Sequence, residues 1–109
     1  MFQDKMVLCA SSAYEKKFYL NENFEGLPQH VKDELKIMCV LFTEDVGGVL
    51  SLEFDENGNL ELNTSADEGD LLYDEIGSVL KIKQMQQEKQ ELFESLETYY
   101  KGFLFRGGY

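Results

Sequence analysis

The side chains of this chain that could do chemistry are paired carboxylates, two cysteines and a single histidine. Glu44-Asp45 falls where a helix is expected to end, the pole at which the helix dipole disfavours negative charge. The pair is therefore a candidate to hold a metal ion or to meet a basic partner. Asp74-Glu75 is the second such pair. If the loop after the first helix lay over it, Glu44, Asp45, Asp74 and Glu75 would form an all-oxygen set of the kind hard divalent cations take.

The other candidates weaken on inspection. Residues 55–61, DENGNLE, look like a calcium loop, but an EF-hand needs glycine at its sixth position, glutamate at its twelfth and helices on both sides. Here glycine is fourth and alternating strand patterns flank it, so the segment reads as a turn. Cys9 and Cys39 stand thirty positions apart, with no CxxC and no clustered histidine, which points to two buried thiols rather than a disulfide framework or a zinc site. His30 lies in a first helical turn and reads as a surface residue. A Cys–His nucleophile would require Cys39, nine positions on and within an apolar stripe. No nucleophile elbow, phosphate loop or dinucleotide glycine pattern occurs. The reading leans away from an enzyme, and no cofactor is expected.

Twenty-one acidic against ten basic residues give a net charge of −11. Such a surface repels phosphate backbones and anionic lipid, so neither nucleic acid nor a membrane is expected as partner. The N-terminus has no basic segment followed by an apolar run of secretory length, and nowhere are there the roughly 18 uninterrupted apolar residues of a membrane span. A cytoplasmic protein is the expectation, folded as one domain over residues 1–109, with 1–5 and 105–109 as candidate flexible ends.

Residues 6–10 and 14–20 read as two strands about a Ser11-Ser12-Ala13 turn, with Tyr14, Phe18 and Leu20 facing one side. Pro28 suits a first helical turn. From there Val31, Leu35, Met38, Cys39 and Phe42 fall within an arc of about 100°, one helix face. Residues 37–42 are apolar all round, so this half of the helix is expected between the sheet and another helix; the rival reading makes them a strand. Gly47-Gly48 ends the element. Residues 49–55 and 60–64 alternate, with Leu50, Leu52, Phe54, Leu60 and Leu62 inward, joined by an Asn57-Gly58 turn.

The last third reads as helix. Ser65-Ala66-Asp67-Glu68 matches a capping box, and Lys101-Gly102 supplies the stop, with Glu97 and Lys101 one turn apart as a favourable pair. A single helix over residues 66–101 would run about 54 Å, against about 34 Å for a compact domain of this length. Its apolar residues also change face. Leu72, Tyr73, Ile76, Val79 and Leu80 centre on one direction, and Ile82, Met85, Leu92, Phe93, Leu96, Tyr99, Tyr100 and Phe103 on another roughly 140° away. The sequence thus predicts a break at Gly77-Ser78, with a short helix to Ile76 and a long one from Ser78.

Segments 39–45 and 47–50, then 54–60, 73–78, 81–84 and 91–94, resemble an uncharacterised family of short acidic proteins from Gram-positive anaerobic bacteria. The resemblance covers most of the chain and implies a stand-alone bacterial cytosolic protein, with no assigned activity and no site residues. The element order is also similar to the roadblock and profilin-like regulatory domains, without their first helix and fifth strand, which is a fold analogy alone.

The expected fold is α+β: a four-stranded antiparallel sheet of two hairpins with helices on one face, order ββαββαα, and a long C-terminal helix. The expected function is a non-catalytic protein-interaction or regulatory module. Its expected partner is a second copy or another cytosolic protein, met through Leu92, Leu96, Tyr99, Tyr100, Phe103 and Phe105. Two alternatives stand beside it: a divalent-cation-binding protein or metal-dependent enzyme using the four carboxylates, and an acidic inhibitor of a basic toxin or nuclease.

Overall fold

In the computed structural model, which describes residues 5–104, the chain folds in the order ββαββαα. Strands β1 (Met6–Ser12), β2 (Lys17–Leu20), β3 (Val49–Phe54) and β4 (Leu60–Ser65) form one antiparallel sheet in the order β2-β1-β3-β4. The two hairpins therefore join through β1 and β3. Helices α1 (Gln29–Val46), α2 (Glu75–Glu88) and α3 (Gln90–Phe103) complete the chain, with a single 3-10 turn at Glu22–Phe24.

Alternation in β3 buries Leu50, Leu52 and Phe54, as the period of two requires. In β1 the alternation is interrupted. Val7 pairs with Glu53 but Cys9 with Leu52, so Leu8 is an inserted bulge residue, and Leu8 and Cys9 both reach the core. The first turn also lies later than the sequence predicts. β1 continues through Ser12, and residues 13–16 form the turn with Lys16 at φ 54°. Tyr14 is thereby in the turn instead of on the inward face.

Helix α1 begins after Pro28 and buries Leu35, Met38, Cys39, Phe42 and Val46 against the sheet. It is helical throughout, which removes the strand alternative for residues 37–42. The expected second cover is partial: α2 lies beside α1, tied to it by Lys81–Asp45 and Lys89–Glu34, but Ile37 and Leu41 remain more than half exposed. From α3, Phe93, Leu96 and Tyr100 close the core. Phe54 is the centre of its aromatic part, stacked on Tyr100 with centroids 4.2 Å apart and on Phe24 at 5.7 Å.

The last third departs most from expectation. Ser65 is the last residue of β4 and caps nothing; residues 66–74 are irregular, with turns at 68–69 and 71–72 and Gly69 at positive φ. The helix starts instead at Asp74, whose carboxylate accepts from the Gly77 N–H at 2.8 Å. Gly77 is thus part of a cap, not of a kink, and a Cβ there would collide with the Asp74 carboxylate that does the capping. The break falls at Lys89, between α2 and α3. With 14 residues each, the two helices are about 21 Å long, and the overhang of one rod does not arise. Glu97 and Lys101 reach the β3–β4 hairpin rather than each other: Glu97 accepts from the Leu60 N–H at 2.7 Å and Lys101 donates to Asn59 Oδ1.

Candidate interaction surface

The four predicted carboxylates are not brought together as one group. Among the described residues no group of three or more histidine, cysteine, aspartate or glutamate side chains is placed to hold an ion. The first-helix end does approach the second pair, since the Asp74 N–H donates to the Val46 carbonyl at 3.0 Å. A cation already occupies the space between: the Lys81 ammonium sits 2.6 Å from Asp45, and its pKa is raised first by that hydrogen bond, with Asp74 contributing. Asp74 itself is committed to the α2 cap. Glu44 and Glu75 are exposed.

The other chemical candidates have roles in local structure. Asp55 Oδ1 accepts from the backbone N–H groups of Asn57 and Asn59 at 2.8 and 2.9 Å, which fixes the hairpin loop and leaves Gly58 at φ 83°. Cys9 and Cys39 are both free and fully buried, with sulfurs 3.9 Å apart. Hydrogen bonding to Cys39 and then burial raise the Cys9 pKa. Both thiols are shielded from solvent in the folded protein. Ellman's reagent is accordingly expected to label neither until denaturant unfolds the chain, with labelling then following loss of the fold; rapid native labelling of either would contradict the buried pair.

Tyr14, displaced into the first turn, donates to Asp70 and accepts from the Asp67 N–H at 2.9 Å. The Asp70 carboxyl is held below its usual range chiefly by this hydrogen bond, which also raises the Tyr14 phenol. The contact ties the 66–74 segment to the sheet. A second tie is Tyr73, whose hydroxyl bonds Ser78 at 2.9 Å and whose ring lies over Gly47 and Gly48.

Beyond those ties and the half-buried Ile82 and Met85, the segment and α2 leave five large apolar residues uncovered. Leu71 and Leu72 are 94% and 92% exposed, Ile76 76%, Leu80 61% and Val79 56%, while Ser78 is the one buried residue of α2. Ile76, Val79 and Leu80 share a helix face by their i, i+3, i+4 spacing. Leu71 and Val79 border one cavity of about 560 Å³.

A family of unknown function, DUF6145, matches residues 5–108. The chain belongs to this family. No curated protein and no solved structure matches it.

The residues nominated from sequence for an interface have divided locations. Leu96 and Tyr100 are buried in the core, and Leu92 and Tyr99 are half-buried against it. Phe103 is exposed, its ring 5.1 Å from that of Tyr99. Phe105 lies outside the described residues. What sequence reasoning missed is the α2 face and the pair Ile37 and Leu41. Its signal was present in the change of apolar direction along the last third, which reads as a break when every apolar stripe is assumed to face the same core. Among the described residues no helix is long and apolar enough to cross a membrane.

Proposed function

We propose that this family member is a non-catalytic protein-interaction module that works as a homodimer, its copies meeting through the outward face of α2. The exposure of Ile76, Val79 and Leu80 on one helix face, with Leu71 beside them, carries this reading. Monomeric proteins seldom leave large apolar side chains grouped at the surface, and grouped ones mark contacts. Charge supports a second copy as the partner. The chain as a whole carries −11, but α2 holds Glu75 and Glu88 against Lys81 and Lys83 and is neutral. Two α2 helices can therefore approach without the repulsion the rest of the surface would impose, and a twofold axis makes one patch its own complement. The setting we infer is the bacterial cytosol, whose reducing conditions suit two free cysteines.

Light scattering at micromolar concentration is expected to give the mass of two chains. Leu80→Glu places a charge in the middle of the face and is expected to raise the dimer dissociation constant by about tenfold or more, with circular dichroism unchanged because the side chain is mostly exposed in the protomer. A strict monomer for the unsubstituted chain would sink the proposal.

A further inference from the structure

A second apolar surface lies between α1 and α2, on a side of α2 roughly 140° away from Ile76, Val79 and Leu80 at 100° per residue. The two helices enclose a groove of about 840 Å³. Ile37 and Leu41, one turn apart on α1 and 59% and 58% exposed, are its outer floor, with Met38, Phe42 and Met85 beneath. Two ion pairs cross it: Lys81 meets Asp45 at 2.6 Å and Lys89 meets Glu34 at 2.9 Å. These bridges hold α2 beside α1 and use both lysines that line the groove. Asp33, Glu44 and Glu88 also line it and form no ion pair among the described residues, Asp33 and Glu88 accepting hydrogen bonds from the neutral Gln29 and Gln84.

We propose that this groove takes up one basic amphipathic helix of a partner protein, distinct from the self-association above. An apolar floor between two helices is the shape into which a third helix lays its apolar side chains, read as anchors at i, i+3 or i+4, and i+7. Methionines at positions 38 and 85 adapt the floor to differing side chains. The rim fixes the sign of the partner: its lysines are neutralised in place, and three carboxylates remain to be met by lysine or arginine. A groove-to-groove contact between two copies would oppose those same carboxylates and is disfavoured.

The test uses the full chain and a labelled synthetic helix of about five turns, with leucines at the anchor spacing and lysines elsewhere, beside a comparator with glutamates in place of the lysines. Fluorescence polarisation is expected to show micromolar binding of the lysine peptide that weakens as salt rises, and at least tenfold weaker binding of the glutamate peptide. The Ile37→Ser/Leu41→Ser double variant and the Glu44→Lys/Glu88→Lys double variant should each weaken the lysine peptide about tenfold or more. Glu15→Lys/Glu94→Lys, at the first turn and on α3, should leave it within about twofold. No binding would overturn the proposal, as would binding that ignores the Ile37/Leu41 change, which is charge attraction alone. Equal binding of the two peptides would overturn it too, as apolar adhesion alone. Light scattering on the serine variant separates the remaining occupant: loss of a dimer there would assign the groove to a second copy and refute the peptide site.

Discussion

Replacing Phe54 by alanine is expected to destabilise the fold by about 3–5 kcal/mol, the range for deleting a large aromatic from a packed interior. Phe54 is fully buried and stacks at once on Tyr100, with ring planes 8° apart, and on Phe24, with planes 23° apart. Those three rings come from β3, α3 and the 3-10 turn, so the cavity opens where three separate segments meet. None of the three can close it without dragging its element. A domain of this size has roughly 5–15 kcal/mol in total, so the variant loses a large share of its stability. In urea the midpoint should fall with little change in slope, and the melting temperature by on the order of 15 °C or more. A loss below about 1 kcal/mol would show that the ring stack does not organise the core.

Gly48→Ala is the second large effect, and its cause is backbone. Gly48 has φ 72°, a conformation that costs an L-residue roughly 1–2 kcal/mol. A Cβ there would also come within 2.5 Å of the Ser65 carbonyl oxygen and 2.8 Å of the Tyr73 ring. The carbonyl belongs to the neighbouring strand, since Val49 pairs with Ser65, and cannot move without disturbing the sheet. Tyr73 is the part that can give. Overpacking of this kind adds about 1–3 kcal/mol, for a total of about 2–5 kcal/mol. Because Tyr73 anchors Ser78, its displacement should loosen α2, lowering α2 helicity before the sheet melts. Gly69→Ala is the comparison: its φ is 84° but a Cβ would meet nothing within 4 Å, so it should show the backbone cost alone.

The sheet was largely legible because hydrophobic alternation over residues 49–62 and the turn at Asn57-Gly58 agree with each other. Helix α1 was legible from one stripe, Leu35 to Phe42, at helical spacing. Its exposed members were not, since Ile37 and Leu41 are read as core whenever a segment is apolar all round. The bulge at Leu8 gave no local signal: no glycine marks it, and it is visible only when β1 is set against β3. In the last third, Ser65-Ala66-Asp67-Glu68 satisfied the pattern of a helix start while its serine was still pairing with Val49 in the sheet. Long-range strand pairing outweighed a local capping preference worth about 1 kcal/mol. Glu44-Asp45 was located correctly at the end of α1, but Asp74-Glu75, expected near the end of a short helix, opens α2 instead. The lysine that meets Asp45 is the seventh residue of α2 and could not be assigned to the pairs from spacing.

The joint at Lys89 has a dynamic consequence. α3 is held by Phe93, Leu96 and Tyr100, whereas α2 has Ser78 as its one buried residue and is otherwise held by the Tyr73 anchor, half-buried contacts and two surface ion pairs. Separate helices on either side of a non-helical residue can open separately, and the unit with fewer buried contacts opens at lower free energy. α2 is therefore free to exchange its amide hydrogens by a local excursion while the sheet, α1 and α3 stay folded. The element that carries both proposed contacts is also the one whose docking a partner can most readily stabilise, so that binding at its outer face or in the groove would be registered as slower exchange along its whole length.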